Sequence, residues 1–256
     1  MTQESALPWV IAAFGLVIGS FLNVCIYRLP RRESIVLPPS RCPRCGHLLA
    51  WYENIPVVSY LALRGRCRAC RAAISPVYPI VELTTAAIFV AMYLQVGPSL
   101  LLVSRLVFGC AMVVLFLIDL RHQILPNTIT LPGIAVGFAL SLFTVPGWRS
   151  SLIGIVAGAG IPLLIAEAYY RIRKDEGLGM GDVKMLGMIG AFLGWKLMLL
   201  ALVLSSFLGS AVGISIVVAG KGDMKYKLPF GTFLAIGALV ASLVGDPILG
   251  WYLSFY

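Results

Sequence analysis

Two aspartates and four cysteines are the residues whose types and spacing in this chain suit chemistry. Asp119 stands in Ile118-Asp119-Leu120-Arg121, and Asp182 in Gly179-Met180-Gly181-Asp182-Val183-Lys184. Two carboxylates brought together can share one proton. One then serves as a base that activates water, and the other as an acid that protonates the leaving group. That is aspartyl-protease chemistry, and it needs neither a metal nor a covalent intermediate. Gly179 and Gly181 admit backbone angles closed to other residues and let an extended peptide approach beside Asp182. The plain alternative for each Asp is a helix-end carboxylate that caps or faces water. His47 and His122 form no Ser- or Cys-protease constellation. His122 reads as a solvated residue.

Cys42-Pro-Arg-Cys45 and Cys67-Arg-Ala-Cys70 form two C-x-x-C pairs. Each turn presents two sulfurs, and two turns complete a tetrahedral all-sulfur site that suits one structural Zn2+ ion. Four protein ligands leave no open position, so such an ion folds a loop and does not catalyse. Arg41, Arg44, Arg66 and Arg68 offset the thiolate charge. Free or redox thiols and disulfides are the alternatives, the last disfavoured in a reducing compartment. Cys25 and Cys110 fall in apolar runs and read as small buried residues.

The elements that must position these groups are membrane spans. The 256 residues are 59% hydrophobic and 12% charged, with a net charge of +9. A soluble domain carries roughly twice that charged fraction. The basic residues punctuate apolar runs, which argues for topology and against nucleic-acid binding. The apolar runs predict an all-α polytopic membrane protein of about eight transmembrane helices, near 7–27, 78–96, 100–118, 128–145, 152–170, 183–194, 197–219 and 228–244. The short run 183–194 is tilted, shielded by its neighbours or only partly inserted. The N-terminus lacks a basic stretch before its first apolar run, so that run reads as a retained helix and not a cleaved signal.

The expected organisation is a first transmembrane helix over 1–27, a cytoplasmic zinc-ribbon-like insertion over 28–75, and a seven-helix core over 76–256. Eight spans put both termini on one side and the loops after odd-numbered spans on the other. Those loops take nine Arg within 28–75, then Arg121, Arg171, Arg173, Lys174, Lys184, Lys221, Lys225 and Lys227. Of the 20 Lys and Arg, only Arg105, Arg149 and Lys196 lie elsewhere. The rich face is therefore cytoplasmic and the termini periplasmic. Both aspartates fall on the rich face.

In this ordered set the sequence resembles the type 4 prepilin leader peptidases, bifunctional leader peptidase/N-methyltransferases. The match begins at Gly19-Ser20-Phe21-Leu22-Asn23-Val24-Cys25-Ile26-Tyr27-Arg28-Leu29-Pro30. It continues through both C-x-x-C pairs, Trp51-Tyr52-Glu53-Asn54-Ile55-Pro56 and Tyr78-Pro79-Ile80-Val81-Glu82-Leu83. It ends with Asp119, Leu125-Pro126-Asn127 and Gly179-Met180-Gly181-Asp182-Val183-Lys184. Gly-x-Gly-Asp alone is a weak pattern, but the whole set is specific. The resemblance implies an enzyme of the bacterial inner membrane that cleaves leaders from type IV prepilins and pseudopilins. It also implies N-methylation of the new terminus with S-adenosylmethionine, Asp119 and Asp182 as the catalytic pair, and a link between the tetracysteine insertion and methyl transfer.

Four further residues carry expectations. Glu82 and Asn23 are candidates for the substrate or methyl-donor site, with a helix-end acid and an interhelical hydrogen bond as the structural alternatives. Lys184 is expected either to hold the Asp182 carboxylate ionised or to anchor the membrane face. Asn127 or Thr128 is expected to cap the span that follows. A methyltransferase with idle aspartates, or a non-enzymatic scaffold or transporter, are the rival readings.

Overall fold

The backbone constraint comes first: in hydrocarbon every peptide N–H and C=O must bond within the chain, which long helices achieve. The computed structural model describes residues 3–174, 179–219 and 228–255, and in these it is helical with no strand. The expected basic anchors Lys221, Lys225 and Lys227 lie outside the described residues. The helices are α1 (Gln3–Arg28), α2 (Val58–Ala62), α3 (Val77–Val96), α4 (Leu100–His122), α5 (Asn127–Ser141), α6 (Trp148–Arg173), α7 (Met180–Val218) and α8 (Phe230–Leu253). Six of them are long and apolar enough to cross a membrane, and α5 is a shorter apolar helix. Large apolar side chains such as Leu164, Phe207 and Val156 point outward. An apolar exterior of this extent suits lipid and not water.

The chain divides into two compact units, Met1–Pro98 and Ser99–Tyr256. In the first, α1 packs on α3. A Cβ on Gly15 would lie 2.6 Å from the Ala86 Cα, and one on Gly19 would lie 2.6 Å from the Glu82 Cα. Farther along, the Asn23 amide donates to the Tyr78 carbonyl at 3.1 Å. The partner residue number falls as the α1 number rises, so the two helices are antiparallel. The stretch between them returns to the end it left. Arg28, itself buried, holds its start by donating to the Ser34 and Pro38 carbonyls at 2.8 and 2.7 Å.

The second unit contains α4 to α8. A straight α7 of 39 residues would measure about 58 Å, twice a bilayer core. It is not straight. Gly194 has φ +75°, outside the helical region and open chiefly to glycine, and the chain turns back there. Gly181 lies against Leu125, Gly194 against Pro146 and Ser150, and Gly213 against Leu228. The segments 180–193 and 195–218 thus run in opposite directions, matching the two separate runs expected at 183–194 and 197–219. Counting them apart, α1, α3, α4, α5, α6, the two parts of α7 and α8 account for all eight expected runs.

The short run proves to be shielded. Every residue from Met185 to Gly194 is buried, with α4, α5, α6 and α8 around α7. Met185, Leu186, Met188, Ile189 and Phe192 join Phe108, Met112, Leu115, Leu234 and Ala238 in one core. Against α6 the backbones themselves touch. A Cβ on Gly154 would stand 2.5 Å from the Gly190 carbonyl oxygen, and one on Gly158 would stand 2.7 Å from that of Leu186. Close approach of this kind drives helix association where the hydrophobic effect between helices is absent. The Ser151 hydroxyl adds a bond to the Ala191 carbonyl at 2.7 Å.

Gly190→Val is therefore expected to force α6 and α7 apart and to destabilise the second unit by about 3 kcal/mol. Denaturant unfolding in detergent checks this. A midpoint equal to that of the wild type would contradict the packing.

Candidate active site and metal centre

Asp119 sits in the last turn of α4 and is 5% exposed. Its Oδ2 accepts the Thr232 N–H at 2.7 Å and the Thr232 hydroxyl at 3.1 Å. Thr232 lies in the first turn of α8, where the aligned peptide dipoles present positive charge. Asp182 is the third residue of α7, and it is half-buried. Its backbone N–H donates to the Gly179 carbonyl at 3.0 Å. Gly181, next to Asp182, and Gly231, against the Asp119 carboxylate, both pack on Leu125, so the two aspartates stand at the same end of the unit. One end of the unit thus gathers an aspartate from a helix C-terminus, an aspartate from a helix N-terminus and the N-terminus of a third helix.

Leu125 explains how they meet. A Cβ on Gly181 would lie 3.0 Å from the Leu125 Cβ. One on Gly231 would lie 2.9 Å from Leu125 Cδ1 and 3.0 Å from Asp119 Oδ2. Leu125 is therefore wedged between the starts of α7 and α8, and both glycines are small because the wedge and the carboxylate fill their space. A Cβ on Gly179 would likewise stand 3.0 Å from Asp182 Oδ2.

Lys184 does not bond to Asp182. Its Nζ donates to Asn127 Oδ1 at 2.9 Å and ties α7 to the start of α5. Asn127 is accordingly not the cap of α5. Pro126 holds that position, and the Asn127 side chain is taken by Lys184. His122 ends α4 and is exposed, as expected of a solvated residue. Thr232 and Gly231 were not among the candidate residues. They carry no titratable group and follow Asp119 by more than a hundred residues, so no local pattern marks them.

In the first unit the four cysteines meet. The sulfurs of Cys42, Cys45, Cys67 and Cys70 all lie within 4.8 Å of one another, and none is in a disulfide. Cys42 is 3.9 Å from Cys70, and Cys45 is 4.0 Å from Cys67. A tetrahedral ion with metal–sulfur bonds of about 2.3 Å sets its sulfurs about 3.8 Å apart. The cluster therefore fits a metal ion. Backbone N–H groups of Cys45, then Arg44, lower the Cys42 thiol to about 6, while against the His47 N–H desolvation and the neighbouring thiols push that of Cys45 up to about 11, so Cys42 becomes a thiolate before Cys45.

The two turns are copies of one another, offset by 25 residues, as the paired bonds show. Arg41 bridges Leu48 and Arg66 bridges Ala73. The Cys42 N–H donates to His47 O and that of Cys67 to Ala72 O; Leu49 N–H meets Ser40 O and Ile74 N–H meets Gly65 O. Gly46 and Arg71 occupy the same left-handed position, with φ +74° and +59°.

Glu82 and Asn23 both lie in this unit. Glu82 is buried in α3, and its Oε2 accepts the Val57 N–H at 2.8 Å. Glu53 belongs with them, although the sequence did not single it out. It is 8% exposed, and its Oε2 accepts the Ala50 N–H at 2.9 Å and pairs with His47 Nε2 at 3.1 Å. The Ala50 N–H, and after it His47, hold its carboxyl below the usual carboxylate range. A cavity of about 1250 Å³ opens between α1, α3 and the insertion, lined in part by Asn23, Glu53 and Glu82.

The fold defines a multi-pass membrane protein. The sequence model described as Bacterial Peptidase A24 N-terminal domain matches residues 13–96, and that of the Type IV leader peptidase family matches residues 106–214. A protein of Aeromonas salmonicida named prepilin leader peptidase/N-methyltransferase is 37% identical over 279 aligned residues, covering 97% of this chain and 96% of that one. Proteins of the same name from Myxococcus xanthus and Pseudomonas putida are 45% and 38% identical. They cover 80% and 91% of this chain, and 62% and 89% of their own. No solved structure gives a significant match. The chain belongs to the Type IV leader peptidase family.

Cys67→Ser is expected to remove most of the bound metal, as elemental analysis of the purified protein would show. Chelation of the wild type is expected to expose residues 29–76 to proteolysis while the second unit stays resistant. Equal metal content in the variant would contradict the four-sulfur site.

Proposed function

We propose that Asp119 and Asp182 are the catalytic pair of a prepilin leader peptidase/N-methyltransferase. The chain is an enzyme: it removes the leader from type IV prepilins and pseudopilins and methylates the new N-terminal residue. The observation that carries the peptidase assignment is the approach of two aspartates, from the ends of α4 and α7, at one end of a helical core. One carboxylate takes a proton from water as the oxygen attacks the scissile carbonyl. The other donates a proton to the departing amine. Thr232 aims Asp119, and the small Gly179 and Gly181 leave room for an extended leader beside Asp182. Lys184 positions this end through Asn127.

The insertion supplies the second half of the assignment. The distances among Cys42, Cys45, Cys67 and Cys70 suit Zn2+, which would hold the two turns together with no position left for substrate. S-adenosylmethionine is the methyl-donating cosubstrate, and Glu82 and Asn23 belong to the site that serves it. The weight of basic residues in the loops after odd-numbered spans supports an inner-membrane enzyme whose aspartates face the cytoplasm and whose termini are periplasmic. Its partners are then the prepilin and the lipid bilayer.

Asp119→Asn and Asp182→Asn are each expected to slow leader cleavage about ten-thousand-fold with little change in unfolding midpoint. Mass spectrometry of a co-expressed prepilin reports leader loss and methyl gain together. Cleavage at the wild-type rate by either variant would overturn the pair.

A further inference from the structure

Residues 29–76 leave the membrane at the end of α1 and return to it at the start of α3, and one hydrogen bond sets how far from it they stand. The Val57 N–H, just before α2, donates to Glu82 Oε2 at 2.8 Å. Glu82 lies inside α3, about 7.5 Å along the axis from Val77. Ile80 and Leu83 beside it in the sequence are apolar and exposed, so this turn of α3 already stands against lipid. The bond therefore seats the start of α2 at the bilayer surface and not above it. Val58 and Leu61 of α2, three positions apart and so on one face, are 60% and 67% exposed. The chain reverses immediately after α2. Arg64 and Gly65 take left-handed angles, φ +52° and +64°, and the Gly65 N–H donates to the Tyr60 carbonyl at 2.8 Å.

The reversal brings Arg64, Arg66, Arg68 and Arg71 around a hollow of about 630 Å³ next to Ala62 and Leu63, and no carboxylate is among the residues that line it. Arg68 donates to the Tyr52 hydroxyl at 2.6 Å. Arg64, Arg66 and Arg71 are exposed and, among the described residues, in no ion pair. The metal centre does not account for them. Residues 28–75 hold nine Arg against two Glu. Four thiolates around a divalent ion offset only about two of these charges. A basic hollow beside an apolar face at bilayer depth suits an amphiphile with an anionic head. Guanidinium groups match phosphate oxygens in both charge and shape. We propose that α2 and the turn after it are a membrane foot. Val58 and Leu61 enter the boundary between headgroups and acyl chains, and Arg64, Arg66 and Arg71 bind the phosphates of anionic phospholipids. The proposal requires that α1 and α3 span the bilayer and is independent of the catalytic roles above. An acidic soluble segment would answer the arginines alone, whereas a lipid answers both features. Bound in this way, the insertion is held to the bilayer at a third point besides α1 and α3.

The test uses the full chain with its metal, reconstituted in liposomes of phosphatidylcholine alone or of equal parts phosphatidylcholine and phosphatidylglycerol. Leu61 is replaced by photoreactive p-benzoylphenylalanine, and adducts are mapped by mass spectrometry after illumination. A phospholipid adduct is expected there, about threefold more abundant in the mixed liposomes. Changing Arg64, Arg66 and Arg71 together to Gln is expected to abolish that excess with the metal content unchanged. No lipid adduct, or adducts only to residues 99–256 of the chain, would overturn the foot. An adduct indifferent to headgroup charge, or an excess that survives the triple change, would overturn the phosphate sites. Should the triple variant lose its metal, Arg64→Gln, which has no cysteine next to it, decides. It is expected to lower the excess about twofold, and an undiminished excess overturns the arginine assignment.

Discussion

At Gly154 and Gly190 the backbones of α6 and α7 meet with no side chain between them, and the rest of the second unit is arranged around that contact. It draws the segment 180–193 into the centre of the helices. Burial of every residue from Met185 to Gly194 lets so short a helix sit at membrane depth, since neighbouring helices and not lipid surround it. The turn at Gly194 then sends the chain back, so that α8 begins at the end where α4 finishes. Only because of that return does Thr232 reach Asp119.

The aspartates are held by different means. Asp119 is fixed by two donors from the start of α8, within a crowded space that a Cβ on Gly231 would invade. Asp182 is carried on the first turn of α7, and among the described residues its carboxylate takes no hydrogen bond. One carboxylate is thereby oriented by protein, and the other is left without a fixed donor among the described residues.

Much of this was legible because the relevant signals are local. Apolar runs located the helices, Gly194 ended one of them, and two C-x-x-C pairs announced four sulfurs at one point. Gly179-x-Gly181-Asp182 marked a backbone with room beside a carboxylate. The partners were not legible. Lys184 stands two residues from Asp182, yet helix geometry turns it toward Asn127. Thr232 and Leu125 act through shape and a single hydroxyl, which leave no trace in spacing. Glu53 stood out only within the Trp51–Pro56 segment, and the fold buries it against His47. The repeat of the two cysteine turns was also hidden, because Arg71 stands where the first copy has Gly46, and the flanking residues differ.

The turn at Gly194 also constrains how the protein is made. A segment of 14 residues rises about 21 Å, less than the roughly 30 Å of a bilayer core, and on its own has little reason to leave the translocation machinery. It carries Asp182 and Lys184 at its start, which raises that cost further. The segment 195–218 is long and apolar, and through Gly194 it is joined to the short one as a hairpin. Biogenesis must therefore insert the two as one piece, after α6 is already present to receive them. Asp182 reaches its final depth only at that late stage, so until α7 is made Asp119 has no second carboxylate beside it.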